Sequence, residues 1–280
     1  MTIFNIREPT NKEISNILKV LYSAFGRAPP EDIKAEEKIW KALIESEIGK
    51  FLVSEENGKI LGLGGIFLFG KVNTYGYLAV LPEYRGKGIG TEIFTNLLDI
   101  SKKMNCETKI LYASKLGEPI YKKFGFKRRF YGEMYKLPER SPNLGIDPKE
   151  IKILGNVPDW VLTLDKEAMG FDRTKYLRLR IKLGDRILVF ENEGYGLLAN
   201  KRLGPLIARN MKVAHNIIEK SIQLGAEHSI IAEHQYLSKE FLKTKSFTKI
   251  EDRGSVKMVS GNEIPEKLNL LYAIGTFAKG

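Results

Sequence analysis

From Leu78 to Gly90 the chain reads Leu-Ala-Val-Leu-Pro-Glu-Tyr-Arg-Gly-Lys-Gly-Ile-Gly: an apolar strand that enters a glycine-rich turn and continues into helical periodicity. Ile89, Ile93, Leu97 and Ile100 recur at spacings of three and four, so the turn must open directly onto a helix buried along one face. Glycine lets the main chain turn its N–H groups outward and approach a ligand closely. A helix tip adds about half a positive charge, and Arg85 and Lys87 add formal charge. Such a turn suits an anion, a pyrophosphate above all. A bare Gly-x-Gly has a blander reading as a helix stop or tight turn, so its context decides.

That context is an ordered run of elements. Residues 4–7 read as a strand, and Asn11 is placed to cap a helix carrying Ile14, Ile17, Leu18 and Leu21. A second amphipathic helix with Ile39, Leu43 and Ile44 follows the Pro29-Pro30 turn. Strands are predicted at 51–54, 60–69 and 72–80, the first two joined by the hairpin turn Glu56-Asn57-Gly58-Lys59. After the helix at 88–104 come a strand at 109–112, a short helix at 117–124 and a strand at 126–135. Pro138 to Pro148 holds three prolines with Ser141, Asn143 and Gly145, and reads as a linker.

Beyond it the order returns in weakened form. Gly184 to Val189 echoes Gly49 to Val53, Gly204-Pro205-Leu206-Ile207-Ala208 echoes Gly76 to Val80, and Lys243 to Phe247 echoes Lys122 to Phe126. An internal duplication accounts for this, and 280 residues suffice for two cores of roughly 140 each.

The segment Leu78 to Gly90 resembles the coenzyme A signature of the GNAT superfamily of N-acetyltransferases. The form Arg/Gln-x-x-Gly-x-Gly/Ala is met at Arg85, Gly88 and Gly90, and Val-x-Pro-x-x-Arg-Gly at Val80, Pro82, Arg85 and Gly86. Ser114 to Phe126 resembles the family's second motif at Tyr121, Gly125 and Phe126, with Ile120 for Leu, while Ser114 and Gly117 replace Asn and Ala. The resemblance covers roughly residues 4–136. It implies an α+β fold of two tandem GNAT-like domains, each a mixed, mostly antiparallel sheet flanked by helices. Residues 1–138 would form the acetyl-CoA-binding domain, 139–148 the linker, and 149–280 a degenerate domain that shapes the acceptor site or is structural.

The same resemblance implies an acyltransferase that moves an acetyl group from acetyl-CoA to an amine, directly through a tetrahedral intermediate. Leu78, Ala79 and Val80 would pair with the pantetheine as an added strand and offer an amide to the thioester carbonyl. Arg85, Gly86, Lys87, Gly88, Ile89, Gly90 and Thr91 would hold the pyrophosphate, with Ser114 near the pantetheine. Tyr121 would be the general acid or sulfur partner, against the ordinary use of a tyrosine as an amphipathic core residue. The family's carboxylate base has no counterpart, since Asn73, Thr74 and Tyr75 stand at its place; an ordered water, Glu133 or a second-half residue remain open. Thr74 and Tyr75 are candidate acceptor residues, and residues 26–37 part of the acceptor groove. Asp172 and Arg173 are read either as acceptor-lining residues or as an N-cap and a surface or capping charge.

The phosphate turn does not recur in the second half, where Arg209-Asn210-Met211-Lys212 follows Ala208, and Leu242 stands where Tyr121 does. His215, His228 and His234 lack metal-ligand spacing, so no metal is expected. The net charge of +11 is spread evenly: 23 basic and 17 acidic residues in 1–140 leave +6, and 22 and 17 in 141–280 leave +5. That spread favours a solvated surface attracting an anionic cosubstrate over a nucleic-acid stripe. Cys106 is the only cysteine, and the longest apolar run, Ile60 to Phe69, is about half a membrane span. The expectation is a cytoplasmic enzyme with a small-molecule or protein-borne amine as acceptor and no membrane or nucleic-acid partner. The rival readings are a non-catalytic acyl-CoA sensor and a transferase on an RNA-linked substrate.

Overall fold

The computed structural model describes residues 4–28, 33–138, 150–233, 242 and 247–276. The Pro29-Pro30 turn, the linker, His234, Lys243 to Ser246 and the last four residues lie outside them. The chain divides into two compact units, at Ile110/Leu111.

In the first unit β1 (Asn5–Arg7) pairs with β2 (Gly49–Glu56), which continues through β3 (Lys59–Phe69) and β4 (Val72–Val80) as an antiparallel meander. Adjacent residues of β3 point to opposite faces, and glycines mark what packs on each. A Cβ on Gly64 would meet Ile93 at 2.8 Å and Leu97 at 3.0 Å, so α3 (Ile89–Lys103) rests on the main chain there. A Cβ on Gly65 would meet the Phe51 ring at 2.5 Å, and Phe51 in turn carries Trp40 of α2 (Ile33–Glu45). Helix α1 (Ile14–Ala24) buries Ile14, Ile17, Leu18 and Leu21 as their spacing predicts. Its start differs from expectation. Thr10, not Asn11, is the capping residue: its N–H donates to Glu13 Oε2 at 2.8 Å, and Asn11–Glu13 is a 3-10 turn ahead of the helix.

Strand β5 (Thr108–Ala113) runs across the boundary between the units. The second unit then contains α4 (Glu118–Lys123), β6 (Lys127–Lys136), β7 (Lys152–Leu154), α5 (Asp159–Met169), α6 (Thr174–Lys182), β8 (Arg186–Phe190), β9 (Gly194–Ala199), β10 (Arg202–Ala208), α7 (Met211–Gln223), β11 (His228–Glu233), β12 (Thr248–Gly261) and β13 (Leu271–Ile274). Its strands order as β12-β6-β11-β13-β10-β9-β8-β7, antiparallel except for a short parallel pairing of β10 with β11. Strand β6 pairs on one side with β11 and on the other with β12. The compact units therefore divide earlier in the chain than the linker at 139–148.

The duplication is visible as element order: α1-α2-β2-β3-β4-α3-β5 returns as α5-α6-β8-β9-β10-α7-β11. It is visible in packing too. A Cβ on Gly194 or Gly196 of β9 would meet Val213 at 2.7 Å or Ile217 at 2.9 Å, so α7 lies against β9 as α3 lies against β3. No helix among the described residues is long and apolar enough to cross a membrane.

Candidate functional site

Past Val80, Pro82–Tyr84 forms a 3-10 turn and Arg85 is extended. Gly86 at φ 77° and Gly88 at φ 89° then adopt the left-handed backbone that side chains resist by roughly 1–2 kcal/mol. Nothing lies within 4 Å of where a Cβ would stand at either, so glycine is required by the turn rather than by crowding, and the main chain is open. The first backbone hydrogen bond of α3 is from Glu92 N–H to Gly88 O at 3.0 Å. Among the described residues, the amides of Gly86 to Thr91 donate to no backbone carbonyl. These are the orphan donors of a helix tip, here presented without a side-chain cap.

Sequence and packing hold this tip in place. Ile89 is 1% exposed and abuts Gly62, pinning the first helical residue to β3. Arg85 is exposed, and its guanidinium donates to Ala24 O at 2.6 Å and Val80 O at 3.3 Å, tying the turn to the ends of α1 and β4. The Tyr84 ring lies between two ammonium groups, Lys59 at 4.8 Å and Lys87 at 4.9 Å from its centroid. Thr91 is exposed on the first turn of α3, and its carbonyl accepts from Thr95 Oγ1 at 2.9 Å. Open amides, two left-handed glycines and nearby cations are a donor set that fits a diphosphate.

Leu78, Ala79 and Val80 form the last part of β4, and Leu78 is the second residue of a β-bulge. Gly76 opposes Gly65 and Ala79 opposes Leu63, so two residues, Tyr77 and Leu78, face the single Gly64. Tyr77 takes φ 58° there. Strict alternation along β4 would put Tyr75 and Tyr77 on one face. The bulge separates them: Tyr75 packs tilted against Phe94 of α3 at 5.4 Å, and Tyr77 meets Trp40 of α2 edge-on at 4.7 Å. Sequence reading missed Tyr77, because a bulge leaves no mark in composition.

The remaining candidates are scattered. Tyr75 is 4% exposed, and its hydroxyl hydrogen-bonds Ser101 Oγ, which also accepts from Asn73 Nδ2 at 2.9 Å. Burial pushes the Tyr75 phenol up. Thr74 is 2% exposed, with no hydrogen-bond partner for Oγ1 among the described residues.

In the second unit Tyr121 sits on α4, 9% exposed, tilted against Phe126 at 6.2 Å. Gly117 makes room for it, since a Cβ there would be 3.0 Å from the ring. Burial raises its phenol pKa above the ordinary value, so the hydroxyl stays protonated and is a weaker acid than a free tyrosine. Ser114 Oγ accepts from Gly117 N–H at 3.2 Å, bracing the start of α4. Glu118 anchors that helix through Arg128 of β6, and through Lys122 at 2.9 Å, with its carboxyl held down to about 2 by the Arg128 and Lys122 hydrogen bonds. Glu133 pairs with Lys249 at 3.1 Å.

Asp172 accepts from Thr174 N–H at 2.7 Å, an Asx-type turn one residue ahead of Arg173, which is itself the N-cap position of α6 and carries no side-chain cap bond. Arg173 corrects the surface reading: its side chain is fully buried and grips Asp165 through two hydrogen bonds, 2.5 and 3.1 Å, with the Tyr195 hydroxyl on the same carboxylate. The periodicity of α5 and α6 gives no sign of this pair. No cluster of three or more metal-ligating residues occurs among the described residues.

Models of GNAT acetyltransferase domains match residues 47–128 and residues 161–273. The fold aligns over the whole chain with the structure of a candidate acetyltransferase from Pyrococcus horikoshii, at 31% identity, 97% coverage of that chain and a TM-score of 0.91. A tandem GNAT protein from the clavulanic acid biosynthesis pathway shares the fold at 13% identity, with 92% of this chain and 98% of that one aligned and a TM-score of 0.65. The uncharacterised N-acetyltransferase YitH of Bacillus subtilis (strain 168) is 29% identical over 174 residues, 59% of this chain; the alignment spans 61% of YitH's own length.

Proposed function

This chain belongs to the GNAT acetyltransferase family, as a tandem member, and from that premise we propose that its first half binds acetyl-CoA and transfers the acetyl group to an amine. What supports the reading is the turn at Gly86 to Thr91, whose backbone amides are left without internal carbonyl partners at an uncapped helix tip. Those amides would hold the pyrophosphate, with Lys87 adding charge and Arg85 fixing the turn through its carbonyl contacts. The main chain of Leu78 to Val80 would carry the pantetheine as an added strand, and an amide beside the bulge would face the thioester carbonyl, where negative charge grows during attack. Coenzyme A supplies the activated acyl group; the protein supplies orientation and electrostatics.

Tyr121 fits a proton donor better than a base. A phenol is neutral at pH 7, and burial, by raising its pKa, makes it a weaker acid still, so this hydroxyl suits a hydrogen bond to the leaving thiolate more than full proton transfer. Of the acceptor candidates, Thr74 keeps a free hydroxyl among the described residues, whereas the observed bonds of Tyr75, Asp172 and Arg173 suit structural roles. The second half, proposed from residue 149 onward, has no comparable turn among its described residues and would serve as scaffold or as acceptor-side wall.

Titration calorimetry with acetyl-CoA, followed by thiol release in the presence of a panel of primary amines, tests the reading. One binding event per chain and amine-dependent thiol release are expected. No heat of binding removes the cosubstrate, and binding without thiol release for any amine leaves the acyl-CoA sensor as the function.

A further inference from the structure

Tyr77 holds a backbone conformation that a tyrosine resists, at a bulge it shares with Leu78, the first of the three residues assigned to the pantetheine. An unsupported bulge of this kind relaxes toward regular extended strand, since nothing in a Gly-Tyr-Leu sequence demands φ above zero at the tyrosine. The support comes from its side chain. The ring meets Trp40 at 4.7 Å, Phe51 at 6.3 Å and Phe67 at 6.3 Å, and Trp40 itself packs on Phe51 at 5.1 Å. Trp40 and Phe51 are 3% exposed and Phe67 fully buried, so this is a fixed socket contributed by α2, β2 and β3. Its room is built into β3: Gly65 leaves the space that Phe51 fills, while Gly64 accommodates Leu78 on the opposite face.

We propose that Tyr77 is a positioning residue for acyl transfer: its ring, locked among Trp40, Phe51 and Phe67, holds the bulge open so that an adjoining β4 amide points at the thioester carbonyl instead of rejoining the sheet. The proposal rests on the functional reading above. It assigns the tyrosine no contact with the cosubstrate. It also makes α2 a determinant of transfer geometry, because Trp40 is the helix's contribution to the socket.

Infrared difference spectroscopy with acetyl-CoA carrying a ¹³C carbonyl reads this hydrogen bond without an acceptor amine, and calorimetry on the same samples reads binding. The bound carbonyl band is expected to be displaced from its position in free acetyl-CoA for the wild type and for Tyr77→Phe. Tyr77→Ala should lose the displacement while its Kd stays within about twofold, because the turn at Gly86 to Thr91 is untouched. Tyr77→Gly accepts the left-handed backbone without strain, so it secures a folded comparison; with no ring to hold it there its backbone samples extended strand as readily, and the displacement should weaken as well. With the best amine from the panel, kcat should fall on the order of 10- to 100-fold in the Ala and Gly variants, below the loss typical of deleting an oxyanion donor outright. An undisplaced band in the wild-type complex, a displacement that survives both truncations, or a parallel fall of kcat and affinity overturns the proposal. Failure of the wild type to bind acetyl-CoA is a different result, since it defeats the functional reading itself.

Discussion

Two strand-to-helix joints occupy the same place in the element order of the two halves and are built in opposite ways. Between β4 and α3 lie eight residues, Leu81 to Gly88, with two left-handed glycines and an uncapped helix tip. Between β10 and α7 lie only Arg209 and Asn210, and the Asn210 side chain accepts from Val213 N–H at 3.0 Å. Arg209 is drawn back to Asn192 O at 3.2 Å, beside Glu167 at 3.5 Å. A helix N-terminus is thus an anion site only when the chain forgoes the side chain that would satisfy it. The scaffold is shared, and the length and capping of one joint separate the open copy from the closed one.

Exchanging features between the halves tests that contrast. The largest effect is expected at Tyr121, where the sequence echo in the second half reads Leu242. Tyr121→Phe should retain acetyl-CoA binding by calorimetry and lose on the order of 100-fold in steady-state turnover, within the usual range for a general acid; unchanged turnover removes this hydroxyl from the chemistry. Next is Gly88→Val, which forces a β-branched residue into φ 89° at the open tip. Affinity for coenzyme A should drop roughly 10- to 100-fold, matching about 1–3 kcal/mol of backbone strain, and full affinity would mean that the tip is not the phosphate site.

A smaller effect is expected at the closed joint. Asn210→Ala should cost about 1 kcal/mol in urea denaturation, while the stoichiometry stays at one coenzyme A per chain. A second binding event would mean that capping alone had hidden a site. The smallest effect is acid sensitivity at Glu118. Its folded carboxyl titrates at about 2, below the ordinary 4.5, so its stabilisation is complete above pH 4.5 and is lost as pH falls toward 2. Glu118→Gln should flatten the stability profile in that window, as followed by circular dichroism. The effect is modest because Arg128 is half exposed to screening solvent.

Much of the architecture was legible because it is written in periodicity and punctuation. Ile89, Ile93 and Leu97 announce a buried helix face, and Gly86 and Gly88 announce a turn that only glycine makes comfortably. The glycine turn that opens α3 and the tandem order were read from such signals. Features that depend on a partner distant in sequence were not. The bulge at Tyr77 requires β3 to be one residue short opposite it, and the Arg173–Asp165 pair requires two helices to meet. The helix start at Thr10 was off by one residue, because Asn11 and Thr10 both suit a cap and only the reach of Glu13 distinguishes them.

The double pairing of β6 bears on how the molecule is made. Its neighbours, residues 228–233 and 248–261, leave the ribosome long after residue 136 does. Until they emerge, this strand presents bare peptide groups on both edges, a template for mispairing with another nascent chain. Cutting the gene in the proline-rich stretch would make that exposure permanent, so a fragment ending near residue 138 should be insoluble alone and recoverable when the remainder is co-expressed.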